Sequence, residues 1–237
     1  LMQTYNIDAY IIPNTDPHQS EYIAEHWRSM TWLSGFDGSA GTLAVTNDFA
    51  GIWTDTRYFL QAEEQLKDTD VTLMKLKVQG KPEYVDWLAE NLKEGSEVGI
   101  DGKLFSIAQI ETMRQIFEPK GINLVACDDL VKIVWKDRPV IPENPIFIHD
   151  IIYAGQSRKE KIAHVRSEMA NKGVNYHLLT ALDDIAWLLN IRGNDVECNP
   201  VAICYCLITP TAVQLFINPK KVISEVGTAL MADGIEL

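Results

Sequence analysis

The chain repeats itself, and that repetition limits what it can fold into more than any other feature. The opening residues LMQTYNIDAYII align with EMANKGVNYHLL. Met2 falls beside Met169, Asn6 beside Gly173, Ile7 beside Val174 and Asp8 beside Asn175. Gly suits the left-handed position that ends a helix, and Asn is its usual substitute there. TWLSGFDG then aligns with AWLLNIRG, pairing Trp32 with Trp187 and Gly38 with Gly193. Further on, TNDFAGIWTD aligns with TPTAVQLFIN, pairing Thr46 with Thr209, Ile52 with Leu215, Trp53 with Phe216 and Asp55 with Asn218. The order never breaks, and the period is far longer than that of a stacked repeat. Two copies of one globular unit are predicted.

Copy one continues with a strand VTLMKLKV, a helix YVDWLAENL, a strand EVGID, a helix SIAQIETMRQIF and a strand INLVA. Strands alternating with helices of this length predict an α/β fold, with mixed β-sheets flanked by helices. In copy two, Ser157 and Glu160 have capping-box spacing, and Ile162, Val165 and Met169 share one helical face. The segment DRPVIPENP between the copies is read as a semi-rigid linker, because proline removes backbone donors and restricts its neighbours. The expected division is residues 1–137, a Pro-rich linker at 138–146, and 147–237.

The second copy halts at ADGIEL, where the first has TDVTLM, and Leu1 aligns within the last turns of a helix that copy two carries in full. The expectation is a piece of a longer protein, with the second unit incomplete by roughly sixty residues.

Composition removes several function classes. The chain has 237 residues, 46% of them hydrophobic and 23% charged, with a net charge of −12. That describes a globular protein without a nucleic-acid footprint, since the 21 basic residues form no stripe. No apolar run approaches the length of a membrane span. Cys198, Cys204 and Cys206 lack zinc-knuckle spacing, and alternation puts Cys204 and Cys206 on one strand face as small apolar groups. A disulfide-free, cytoplasmic protein is expected.

No complete catalytic set emerges. HQSEYIAEHW would bring His18, Glu21 and Glu25 to one side of a helix, but it matches no metallopeptidase motif, and a solvated face is the better reading. The glycines of SGFDGSAGT precede a strand instead of a helix, so Gly35, Gly38 and Gly41 read as turn formers and not a dinucleotide fingerprint. Adjacent Asp183 and Asp184 diverge on a helix and cannot form a close acid pair, so Asp183 serves the helix dipole. Trp32 and Trp187 are expected to anchor equivalent cores. The odd feature is IWTDTRYFLQA. As a strand it turns Trp53, Asp55 and Arg57 to one face, which is strange company for a core. Arg57 either closes a sheet edge with Asp55 or faces something that needs a guanidinium.

Three long motifs, PNTDPHQSEYIAEHWRSMTWLSGFDGSAGT, WTDTRYFLQAEEQL and DDIAWLLNIRGNDVECNPV, resemble the N-terminal half of cytosolic-type Xaa-Pro aminopeptidases (aminopeptidase P), in the creatinase/prolidase group. The resemblance runs in order over essentially the whole chain. Thr56 departs from it, where a small residue such as Gly is usual.

The resemblance implies two tandem creatinase N-terminal domains of ribonuclease-H-like topology, placed before a catalytic domain that this chain does not contain. That domain would carry two divalent metals, usually manganese, on two Asp, one His and two Glu, and would cleave the bond preceding proline. None of those ligands maps onto this chain, so it carries no catalytic or metal residues and holds no cofactor. One residue does map: Arg57, the arginine of W-T-D-x-R-Y, implied as a substrate contact that Asp55 could orient. The implied partners are proline-containing peptides and a second subunit in a homodimer, with neither nucleic acid nor membrane. Alone, the fragment is expected to be inactive. The alternatives are a stand-alone binding or regulatory module of the same fold, or a prolidase- or creatinase-type enzyme.

Overall fold

The computed structural model describes residues 1–78 and 80–237. They divide into two units, one of residues Leu1–Glu21 and His26–Pro139, the other of Tyr22–Glu25 and Val140–Leu237.

The first unit is built on a six-stranded sheet in the order β4-β3-β2-β1-β5-β6. The strands are β1 (Ala9–Pro13), β2 (Thr42–Thr46), β3 (Ala50–Thr54), β4 (Thr72–Lys75), β5 (Glu97–Asp101) and β6 (Asn123–Cys127). All run parallel except β2, which pairs antiparallel with β1 and β3. Alternation sends Ala9, Ile11, Ala44, Trp53, Val98 and Ile100 to one face. There they pack on Val85 and Leu88 of helix α3 (Glu83–Asn91) and on Met113 and Phe117 of α4 (Ile107–Phe117). The other face sends Tyr10, Ile12, Leu43 and Ile52 against α1 (Ser29–Ser34), α2 (Phe59–Gln65) and α5 (Leu130–Val134). Ser106 and Gln109 form a full capping box at the start of α4.

The second unit begins with β7 (Phe147–Ile148), α6 (Ile151–Ala154), α7 (Arg158–Asn171), β8 (His177–Leu179) and α8 (Leu182–Leu189). It continues with β9 (Ile191–Arg192), β10 (Cys204–Ile208), β11 (Val213–Ile217), α9 (Ser224–Ala232) and β12 (Ile235–Glu236). Its main sheet has the order β12-β11-β10-β8, the same order and directions as β4-β3-β2-β1. One face packs Cys204, Cys206, Ile208 and Leu215 against α7, α8 and α9. The capping box of Ser157 and Glu160 starts α7 as expected, and Ile162 and Met169 are buried beneath it. The opposite face leaves Tyr176 74%, Leu178 58% and Phe216 54% exposed, whereas Ile11 and Trp53, at the positions of Leu178 and Phe216, are covered by α3 and α4.

The duplication extends to single hydrogen bonds. Ile7 N donates to Met2 O at 3.0 Å and Val174 N to Met169 O at 2.9 Å. Asn6 N donates to Gln3 O and Gly173 N to Ala170 O, with φ of 51° at Asn6 and 65° at Gly173. Both are the paired closures of a Schellman helix end. The hairpins match as well. Thr46 N donates to Phe49 O at 2.7 Å, and Thr209 N to Ala212 O at 2.9 Å.

Several expectations fail for physical reasons. The strand containing Trp53 stops at Thr54, because the Asp55 carboxylate turns the chain. VTLMKLKV pairs only over Thr72–Lys75. HQSEYIAEHW is not a helix. The Asp16 carboxylate accepts from His18 N at 2.9 Å and Ser20 N at 3.0 Å, which folds the segment into a turn, and only Glu25–Trp27 makes a short 3-10 turn. Trp32 and Trp187 are 41% and 51% exposed and anchor no core. Instead Trp32 stacks on Trp135 at 5.2 Å, and Trp187 lies under the Lys161 ammonium at 4.4 Å. Of the three glycines, only Gly35 has a positive φ. At Gly38 a Cβ would sit 2.3 Å from the Phe36 ring, so close packing and not turn geometry demands glycine there. Asp183 and Asp184 lie in the first turn of α8, where their charge suits the helix dipole.

Candidate functional site around Arg57

Arg57 sits just beyond the carboxyl end of β3. Alternation along a strand would have set it beside Asp55, and the structure brings the two together by a different route. Asp55 Oδ1 accepts from Arg57 N at 3.0 Å and from Arg57 Nε at 3.0 Å, and Oδ2 accepts from Nη2 at 2.8 Å. The guanidinium is thus gripped along one edge, in the bidentate manner that lysine cannot copy. The Asp55 side chain is 12% exposed and that of Arg57 is 53% exposed. A largely buried acid therefore holds a half-exposed base. The bonds from Arg57 pull the Asp55 carboxyl below its ordinary range, and those bonds with the nearby Glu21 charge strengthen the proton on Arg57. Arg57 Cζ also lies 5.2 Å from the centre of the Tyr58 ring.

The loops around this turn are tied to one another. The Tyr58 hydroxyl lies 2.6 Å from Ser39 Oγ. Thr54 Oγ1 donates to Ala40 O at 2.6 Å, and Asn14 Nδ2 donates to Ser39 O at 2.8 Å. These bonds draw the carbonyls of the glycine loop inward, onto the ends of β1 and β3. Sequence reading missed Asn14, Thr54 and Tyr58 as supports, since single polar side chains in loops carry no periodic signal.

Thr56 is exposed in the turn and touches no part of the grip on Arg57 that the structure records. His18 is buried in the Asp16 turn. Among the described residues, no three His, Cys, Asp or Glu side chains gather closely enough to hold a metal ion. The residues present therefore do not fit a metal centre, and no step is assigned to one. Cys127, Cys198, Cys204 and Cys206 are free, and burial pushes Cys204 and Cys206 up to about 12, so neither is a ready thiolate. Among the described residues, no helix is long and apolar enough to cross a membrane.

Two sequence models described as the creatinase/prolidase N-terminal domain match residues 1–135 and residues 137–237. The chain belongs to the creatinase/prolidase N-terminal domain family. Both sheets thus carry the fold of this family, one copy after the other. The chain is 44% identical over 234 residues to aminopeptidase P2 of Arabidopsis thaliana, covering 98% of this chain and 33% of that protein. It is 41% identical over 235 residues to a probable Xaa-Pro aminopeptidase P of Aspergillus niger, covering 98% of this chain and 38% of that protein. Among solved structures it is similar to the X-prolyl aminopeptidase of Caenorhabditis elegans, described as a cytosolic enzyme with a di-nuclear active site. There the TM-score is 0.90 and the identity 33%, over 97% of this chain and 38% of the other. This creatinase/prolidase chain thus spans about a third of the length of the relatives it matches.

Proposed function

We propose that this chain is the non-catalytic N-terminal part of a cytoplasmic metallo-aminopeptidase that removes the residue preceding proline, and that Arg57 is its contribution to substrate binding. The observation that carries the reading is the held guanidinium. Asp55 fixes Nε and Nη2 while half of the side chain stays open to solvent, so the group is oriented before any ligand arrives. Such a group can donate to a peptide carbonyl or carboxylate without first losing its own freedom. The order of motifs and the similarity to Xaa-Pro aminopeptidases over nearly the whole chain support the substrate class.

In the whole enzyme, a di-nuclear centre, assigned to manganese by resemblance, would supply the hydrolytic water from residues outside this chain. The chain's own residues bind and orient. The division into 1–137, a linker at 138–146 and 147–237 belongs to the same proposal, as does a homodimer.

In the second unit Asn218 Oδ1 accepts from Lys220 N as Asp55 Oδ1 accepts from Arg57 N, which favours one rival: an ion pair that merely closes the end of β3. Substitution separates the two. Arg57→Ala in the full-length enzyme should lower kcat/KM on Xaa-Pro tripeptides about tenfold or more while leaving the unfolding temperature nearly unchanged. Unaltered kinetics would leave only the structural pair. The 237-residue chain alone, given Xaa-Pro-Xaa peptides and manganese, should release no amino acid.

A further inference from the structure

Asp55 borders a second feature. A cavity of about 450 Å3 lies wholly within the first unit, where the carboxyl ends of β3 and β4 meet the first turns of α3 and α4. Open α/β sheets bind their ligands outside the carboxyl ends of strands, and this volume suits a small ligand or a short stretch of peptide. Its floor is the cross-strand pair Thr42 and Trp53. Tyr84 from α3 and Thr112 and Met113 from α4 wall it, and Asp55 closes one side.

The polar atoms here are unequally employed. Both oxygens of Asp55 are engaged by Arg57. The hydroxyls of Thr42 and Tyr84 make no side-chain hydrogen bond among the described residues, and neither is sealed from solvent, so both open onto the cavity. Burial pushes the Tyr84 phenol up to about 12, so at neutral pH it remains a donor. Its ring meets Trp53 edge to face at 6.4 Å, which leaves little freedom to swing the hydroxyl elsewhere. The cavity thus offers two accessible hydroxyls above an indole and a thioether, and the charges in its lining are already paired, Asp55 with Arg57 and Lys81 with Asp86. That combination suits a neutral, acceptor-bearing ligand with an apolar part.

We propose that this cavity receives the stretch of a peptide substrate lying beyond the group that Arg57 holds, with an apolar side chain laid on Trp53 and Met113 and a main-chain carbonyl accepting from Tyr84. This rests on the reading of Arg57 as a substrate contact, because Asp55 is shared by the two sites and a peptide on one is delivered to the other. Its consequence is selection by length. Residues far from the scissile bond would strengthen binding, and tripeptides would not reach the cavity.

The test is a series of Xaa-Pro peptides from three to about eight residues, with apolar residues downstream, assayed on the full-length enzyme. Wild type should gain in kcat/KM as the peptide lengthens. Thr112→Trp, which fills the cavity from an exposed position on α4, should reduce the ratio of long-peptide to tripeptide kcat/KM about tenfold. Tyr84→Phe, which removes one hydroxyl and little else, should reduce the same ratio about threefold or more. Length series of both variants that superimpose on wild type would overturn the proposal, as would a wild type indifferent to length. Arg57→Ala is read on tripeptides alone, so failure of its role and failure of the cavity give different results.

Discussion

Asp55 and Asn218 close the same turn in the two units. Oδ1 of each accepts the amide two residues on, Arg57 N and Lys220 N respectively, at 3.0 Å. The backbone closure is shared too, with Tyr58 N donating to Asp55 O at 3.0 Å and Lys221 N to Asn218 O at 2.9 Å. The turn needs a side-chain acceptor and not a charge. Asp55→Asn should therefore keep the turn and lose at neutral pH only the share of stability that the pairing with Arg57 adds, whereas Asp55→Ala should lose that share and about 1 kcal/mol more with the turn bond. Denaturant titration of both variants checks this. Only the carboxylate grips the guanidinium, so Asp55→Asn should still impair turnover of the full-length enzyme, in the direction of Arg57→Ala.

The same carboxylate sets a pH dependence. Its pKa in the folded chain lies below the unfolded value, first through the side-chain bond from Arg57. The unfolded chain then binds the proton more readily, so the stabilisation is full above about pH 4 and is lost as pH falls through the folded value. Acid titration of stability should be shallower in Asp55→Asn than in wild type.

Much of this architecture is legible in the sequence itself. The paired caps at Asn6 and Gly173 are local chemistry with a fixed residue preference, and they revealed the duplication directly. The capping box at Ser157 is likewise a pattern that four residues specify. What misled was the assumption that large aromatic side chains mark a core. Trp32 and Trp187 occupy equivalent helical positions, yet each commits its surface to a single ring or cation contact at the rim. A tryptophan can do that because it is amphipathic, and periodicity does not reveal it. The cavity beneath Tyr84 left no trace either. It is a volume between elements distant in sequence, which no local pattern of residues announces.

His26 makes a separate prediction near neutrality. Its Nδ1 lies 2.7 Å from Pro139 O, an acceptor, so the ring donates from Nδ1. Burial is the main cause that lowers its pKa, the neighbouring Arg138 adds to it, and the Pro139 carbonyl and Asp129 oppose it. The folded chain thus takes up this proton less readily than the unfolded one. Stability should be full above about pH 6.5 and should decline as pH falls below it. His26→Gln should flatten that limb of the stability–pH curve. An identical curve in the variant would show that His26 is not its source.

The glycine loop separates two reasons for glycine. Gly35 has φ +76° with nothing within 4 Å of where a Cβ would stand, and its counterpart in the second unit is Asn190, at φ 48°. Gly35→Asn should therefore be nearly neutral in thermal unfolding. At Gly38 a Cβ would lie 2.3 Å from the fully buried Phe36 and 2.9 Å from the Tyr58 ring. Gly38→Ala should cost about 1–3 kcal/mol by overpacking, and should disturb the ring beside Arg57 as well.

The second unit contains a buried ion pair. Lys221 Nζ donates to Asp195 Oδ2, and the two side chains are 1% and 0% exposed. Ile203 N donates to the same oxygen at 2.6 Å, whereas Oδ1 has no partner among the described residues. Lys221 also stands where Tyr58 stands in the first unit, so the second copy has placed a charge where the first has a ring. Desolvating two charges consumes most of their attraction, so the pair adds little net stability. Losing one member is another matter, because it strands the other without water. Lys221→Met and Asp195→Leu should each destabilise the chain by about 3–5 kcal/mol in urea unfolding. The double variant should recover most of that loss, because two apolar side chains can fill the same space without stranding a charge. Costs that simply add in the double variant would show that the two residues act independently, and that this pair is not what secures the loop carrying Asp195 to the sheet.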